Sequence, residues 1–211
     1  MQRATPLLYL LRLLNGFSCA PNRGRRKVLS LCFGAAMMLA AGTTLAEKDK
    51  KMTHLTLTSA AFVNGGAIPS LHTCEGKDAS PPLAWSGIPS NTKSLALIVD
   101  DPDAPDPAAP KMIYVHWVLY NLPPTATQLP QAVAPRDLPP GTLEGANDWK
   151  RTGYGGPCPP IGRHRYFHKL YALDTILPDL GKPTKAALEK AMQGHIIEKA
   201  ELMGLYQRQS K

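Results

Sequence analysis

No aspartate or glutamate occurs in the first 46 residues of this 211-residue chain. Six of its 24 basic residues fall there: Arg3, Arg12, Arg23, Arg25, Arg26 and Lys27. The remainder of the chain holds 18 basic and 16 acidic side chains, so most of the net charge of +8 belongs to the leader. A nucleic-acid partner requires a basic face on the folded part; an excess of two does not supply one, and no nucleic acid is expected. An apolar run of about 20 residues, the length that spans a bilayer, is lacking too, since Val28–Ala41 provides only 14. Membrane contact is therefore expected only through an uncleaved leader. Internal repeats, a low-complexity linker, a phosphate-binding P-loop and a dinucleotide fingerprint are also missing. No cofactor and no metal are expected.

What is present at the start reads as an export signal. "RGRRK" is a positive n-region, "VLSLCFGAAMMLAA" an apolar h-region, and Thr44 and Ala46 are the small residues of a cleavage site before Glu47. The chain thus divides into a leader, residues 1–46, and a single domain, residues 47–211, with a periplasmic or secreted destination. Cys19 and Cys32 would leave with the leader. Cys74 and Cys158 remain, and an even pair in an oxidising compartment favours a disulfide. Two buried thiols are the alternative, because sequence does not show Cα atoms within about 7 Å.

The first two-thirds of the domain is strand-like. "HLTLTS" alternates, "LAWS" and "SLALIV" are short β-rich runs, and "IYVHWVLYNL" and "RYFHKLYAL" are longer and aromatic. Pro/Gly/Asn/Asp clusters such as "LPPGTLEGAND" separate them as loops. Thr184 can cap a helix over "KAALEKAMQ", and the apolar spacing of "HIIEKAELMGLY", residues 195–206, predicts a second helix. Strands first and helices last imply a mostly β protein, an antiparallel sandwich with short C-terminal helices.

Three stretches could carry chemistry. "DDPDAPDPAAP", Asp100 to Pro110, fails as a calcium loop because it lacks the glycine and glutamate at the required spacings. Its four prolines make it stiff, able to hold a carboxylate in place; a rigid solvated turn is the plainer reading. In "YVHWVLYNLP", strand alternation groups Tyr114, His116, Val118 and Tyr120, with His116 inside or at a pocket floor. In "GYGGPCPPIGRHRYFH", His164 and His168 sit too far apart along a strand to share a metal ion, whereas His164 and Tyr166 share a face. The Gly-Gly-Pro-Cys-Pro-Pro loop offers backbone amides to an anion, or is simply an edge loop. No nucleophile system is visible, since "AWSGI" around Ser86 lacks the first glycine of a nucleophile elbow.

These motifs, in this order, resemble the phosphatidylethanolamine-binding protein family, also called Raf kinase inhibitor-like proteins. They are "CEGKDASPPLAWSGIP", "DDPDAP", "VHWVLYNLP" and "GYGGPCPPIGRHRYFHKLYALD". The bacterial YbhB/YbcL branch is the most similar, and "GHIIEKAELMGLY" looks like its C-terminal helix. The resemblance implies a pocket for phosphate-like anions lined by Asp101, His116, His164 and Tyr166, with Tyr114 contributing. It implies a rim at Gly156, Pro157 and Pro160, and a cis proline at Pro105.

A carboxylate beside two histidines would raise their pKa values, giving cationic donors for an anion. The expected function is therefore a non-enzymatic binding or regulatory protein that holds a small phosphate-like anion or phosphorylated headgroup. The alternative is an inhibitor of a protease or kinase acting through its protein surface. A hydrolase using Asp101 and His116 as base and orienter is a third reading. Oligomeric state stays open, a homodimer included.

Overall fold

A computed structural model describes residues 54–209. The leader and its cleavage site lie outside the described residues, as does the start of the domain. The described residues form nine strands, arranged in two sheets, and one α-helix. The strands are β1 (Thr56–Thr58), β2 (Gly66–Ala67), β3 (Leu83–Ser86), β4 (Ser94–Asp101), β5 (Tyr114–Leu122), β6 (Gln128–Leu129), β7 (Leu143–Glu144), β8 (His164–Leu173) and β9 (Ile196–Tyr206). The helix α1 spans Lys185–Met192. A small sheet in the order β1-β3-β6 faces a large one in the order β2-β9-β8-β4-β5-β7. All pairings are antiparallel except the short β2–β9 contact. The mostly β sandwich expected from the strand pattern is the fold found.

β4 is the central strand, and every one of its residues is buried. Leu95, Leu97 and Val99 point into the main core, between the sheets, with Leu57, Trp85, Leu129, Leu119 and Leu170. Ala96 and Ile98 point the other way, into a second core under α1 with Val118, Tyr120, Leu188 and Met192. Burial on both faces explains why "SLALIV" reads as a continuous apolar run rather than an alternating one. The same two-fold period sends Asp101 towards the sandwich side and Asp100 towards the helix side.

The helix starts where the sequence places it. Thr184 Oγ1 accepts a hydrogen bond from the Ala187 amide at 3.3 Å, satisfying one of the free amides of the first turn. The second expected helix does not form. Residues 196–206 are the strand β9, paired with β8 along its whole length. Ala200, Leu202, Gly204 and Tyr206 supply its inward face, but Met203 and Leu205 place apolar groups on the other one. That blurs the alternation into something close to a helical period. Gly204 packs where a Cβ would lie 2.5 Å from the Ile68 side chain, so a residue poor for a strand is required by the contact.

β5 departs from strict alternation. The β4 partners jump from Val99↔Trp117 to Asp100↔Val115, leaving His116 in a bulge. Val118 and Tyr120 accordingly share the helix-side core with Val115, while the His116 ring lies 5.2 Å from the Tyr166 ring. The expected grouping of His116 with Val118 and Tyr120 therefore fails. An extra residue in one strand reverses the parity beyond it.

Candidate functional site

The ends of β4, β5 and β8 meet at a cavity of about 360 Å³. Asp101, Tyr114, His116, His164, Tyr166 and Pro160 all line it, brought together from the 66-residue stretch that begins at Asp101 and ends at Tyr166. The bond before Pro105, another lining residue, is cis.

Asp101 and His164 form a closed unit. His164 Nδ1 donates to Asp101 Oδ2 at 2.6 Å, and Asp101 Oδ1 accepts the Asp103 amide at 2.8 Å. The other ring nitrogen, Nε2, lies 2.9 Å from the Ile161 carbonyl oxygen. Both nitrogens thus face oxygen acceptors, and a bare Nδ1 against a carboxylate would repel it. His164 borders the cavity with both nitrogens already engaged.

His116 is held differently. Its Nδ1 donates to the Gly155 carbonyl at 2.7 Å, and the Gly155 amide donates back to the His116 carbonyl at 3.0 Å. Nε2 has no hydrogen-bond partner among the described residues, and the ring borders the cavity. Burial pushes the His116 pKa below its ordinary value; the Gly155 carbonyl and the carboxylates of Asp101, Asp100 and Asp148 oppose this without reversing it. The expectation that nearby carboxylate would raise both histidines is thus overturned at His116, because desolvation outweighs the charges. Neutral His116 keeps its proton on Nδ1 and turns a lone pair to the cavity.

Tyr166 lines the cavity, and its hydroxyl is buried and has no hydrogen-bond partner among the described residues. Burial, then the nearby Asp101 carboxylate, push its pKa well above the ordinary value, so it remains a donor. Buried hydroxyls without partners are uncommon and costly.

A family model described as phosphatidylethanolamine-binding protein matches residues 58–207. The chain belongs to the phosphatidylethanolamine-binding protein family. It is 48% identical over 155 residues to a UPF0098 protein of Methanothermobacter thermautotrophicus, covering 73% of this chain and 99% of that protein. A UPF0098 protein of Chlamydia muridarum is 44% identical over 154 residues, with the same coverages. Among solved structures, a putative phosphatidylethanolamine-binding protein homologue of Chlamydia trachomatis superposes with a TM-score of 0.69 at 41% identity, covering 74% of this chain and 99% of that one. E. coli YbcL does so at 0.66 and 34%, with the same coverages. Members of this family are characteristically binding proteins without catalysis, and this chain takes a ligand-binding or regulatory role with them.

Not every expected member of the family's site stands at the cavity. Cys158, Pro159 and Pro160 line it, but Gly156 and Pro157 do not. The Gly156 amide donates to Asp78 Oδ1 at 2.5 Å, and the Pro157 carbonyl accepts the Cys74 amide at 3.1 Å. Those two residues anchor the rim to residues 72–78, and the Gly156 amide is spent on Asp78. A side chain at 156 would meet the His72 carbonyl oxygen at 2.4 Å, which explains the glycine by close approach. The Cys74–Cys158 disulfide, with Cα atoms 5.4 Å apart, ties the same two segments. It also removes the thiol that a Cys–His nucleophile would need.

The hydrolase geometry is not formed either, since Asp101 orients His164 and not His116. Trp149 and Met112 line the cavity although their segments gave no periodic signal. The Trp149 ring stands edge-on to His116 at 5.1 Å and to Tyr114 at 4.9 Å. Asn147 fixes this loop by accepting the Trp149 and Arg151 amides at 3.0 and 3.3 Å and donating to the Gly153 carbonyl at 3.0 Å. Asp148 Oδ2 accepts the Val115 amide at 2.7 Å, pinning the loop beside the bulge. The usable clue was a lone tryptophan in a polar, glycine-rich loop.

Proposed function

We propose that this protein is exported to the periplasm or beyond and binds a small phosphate-type oxyanion, or the phosphorylated headgroup of a larger molecule, in the cavity around His116. The observation that carries this reading is the cavity lined by His116 and Tyr166, where His116 Nε2 and the buried Tyr166 hydroxyl have no hydrogen-bond partner among the described residues. An oxyanion supplies the acceptor that the hydroxyl lacks. The apolar walls, Met112, Pro105, Trp149 and Pro160, exclude water and strengthen such bonds. Export is supported by the acid-free leader with its 14-residue apolar run and by a disulfide between two solvent-exposed cysteines, which suits an oxidising compartment.

Calorimetric titration with inorganic phosphate tests the binding. Heat saturating at one site in the native protein, and lost in Asp101→Asn with an unchanged circular-dichroism spectrum, is the expected result. Absence of any binding by the native protein would overturn the reading. N-terminal sequencing of protein recovered from outside the cytoplasm tests export, with Glu47 as the expected first residue.

A further inference from the structure

The rim of the cavity carries a covalent bond that lies outside both cores. The Cys74–Cys158 disulfide joins two loop segments, residues 72–78 and 155–160, neither of which belongs to a sheet. Neither cysteine is part of either hydrophobic cluster, and both are exposed. Cys158, Pro159 and Pro160 form one wall of the cavity. No other cysteine lies between residues 54 and 209.

Hydrogen bonds cross the same gap, but on one side of the disulfide only. The Cys74 amide donates to the Pro157 carbonyl at 3.1 Å, the Gly156 amide to Asp78 Oδ1 at 2.5 Å, and the Tyr154 hydroxyl to the His72 carbonyl at 2.9 Å. On the rim, all of these precede Cys158. Beyond it the chain is held lightly until β8 begins. Among the described residues, the Ile161 carbonyl facing His164 Nε2 at 2.9 Å makes the one hydrogen bond of residues 158–163, and Gly162 packs against the Pro107 ring.

We propose that the Cys74–Cys158 disulfide is a redox clasp on the cavity mouth: a dithiol reductant opens it and frees residues 158–163 from the rim, while both sheets stay folded. The clasp concerns the cavity wall and goes beyond the oxyanion reading; its effect on binding rests on that reading. A thiolate of the reductant attacks one sulfur, the S–S bond breaks, and the other sulfur leaves as a thiolate that takes up a proton. The second thiol of the reductant then displaces the mixed disulfide. The dithiol ends oxidised to a disulfide, and Cys74 and Cys158 end as thiols. Exposure admits the attacking thiolate, and exposed disulfides are the labile and regulatory class. The flanking hydrogen bonds keep the two segments side by side, so an oxidant closes the same pair again.

Amide exchange read by NMR, before and after dithiothreitol acts on the folded protein, tests the clasp. In the reduced form the Cys74 and Gly156 amides, which bridge the gap, are expected to exchange about tenfold faster or more. The Gly155 amide, bonded to the His116 carbonyl at 3.0 Å, and the amides of β4 are expected to keep their rates. Reoxidation should restore the slow rates, and the double variant Cys74→Ser, Cys158→Ser should match the reduced form. Three results would each overturn the clasp: a bond that resists dithiothreitol without denaturant, unchanged exchange at residues 74 and 156, or protection lost throughout the sheets. The last would make the bond a staple of the fold. With inorganic phosphate as the probe, reduction is expected to weaken binding about tenfold, because a mobile wall must be ordered on binding. Equal affinity in both redox states, with exchange at 74 and 156 accelerated, would overturn regulation of the site. Absence of phosphate binding by the oxidised protein would overturn the oxyanion reading instead, and the exchange rates would still decide the clasp.

Discussion

Asp100 and Asp101 are covalent neighbours at the end of one strand, yet they serve opposite faces of the sheet. On the helix side, Asp100 is fully buried and receives Lys169 Nζ at 2.7 Å and Lys185 Nζ at 2.6 Å. Those lysines come from β8 and the first turn of α1, so the carboxylate fastens the helix to the sheet. On the sandwich side, Asp101 meets His164 and one amide, next to a cavity that still has unmet valences. Asp103, two residues on, makes a third kind of contact. The Arg165 guanidinium grips it with two bonds of 2.9 and 2.6 Å and holds its carboxyl below the usual carboxylate range. Three acids in four residues thus each find a different basic side chain of β8. The one whose partner is a histidine borders a ligand-sized space. A carboxylate becomes part of a binding site less by its own chemistry than by how completely its surroundings close over it.

The contrast can be broken most severely on the closed side. Asp100→Ala leaves the partly buried Lys169 without a counter-charge and Lys185 with only Glu189, 3.7 Å away. Loss of one partner from a buried ion cluster costs about 3–5 kcal/mol, and chemical denaturation should report a loss of that size. A variant as stable as the native protein would show that the cluster does not hold the helix.

Acid probes the sandwich side. His168 shares the inward face of β8 with His164 and Tyr166, is fully buried, and lies 5.5 Å from the Phe62 ring. Burial pushes its pKa down from 6.5 to about 4. Between those values the unfolded chain binds the proton more readily than the folded one. Its contribution to stability is therefore fully present above a pH of about 6.5 and is lost as the pH falls through about 4, a total of about 3 kcal/mol. Melting curves across that window should shift down on acidification, and His168→Phe or His168→Leu should reduce the slope. An equal slope in those variants would place the proton elsewhere.

Tyr166→Phe tests the open side with the smallest stability effect. Removing a hydroxyl that has no partner should leave the melting temperature nearly unchanged or raise it slightly, while phosphate binding weakens. A marked loss of stability would mean that the hydroxyl is engaged within the protein and is not held for a ligand.

Much of this arrangement was legible in the sequence because it follows from strand periodicity and from local stiffness. Aromatic and β-branched runs placed β5 and β8, and Thr184 placed the helix start. The family resemblance, and not periodicity, implied a common pocket for Asp101, His116, His164 and Tyr166, and all four line one cavity. What escaped depends on long-range partners. The bulge at His116 exists only relative to β4, so no count along β5 alone reveals that Val118 and Tyr120 turn away. The strand character of β9 comes from its pairing with β8, whereas its apolar residues taken alone fit a helix. The direction of the His116 shift required knowing that burial exceeds the pull of nearby carboxylates. Trp149 reaches the site through a loop shaped by Asn147 and Asp148, not through any period.

The all-buried character of β4 has a consequence for how this site can be altered. Because both faces are covered, neither has a solvent side into which a misplaced group could escape. Deleting one residue between Leu95 and Val99 would barely change the composition, but it would turn every later side chain through the sheet. The acid that locks the helix would then stand at the cavity, and the acid that holds the histidine would face two lysines. The strand is a reading frame, and the binding site is encoded by parity as much as by residue type.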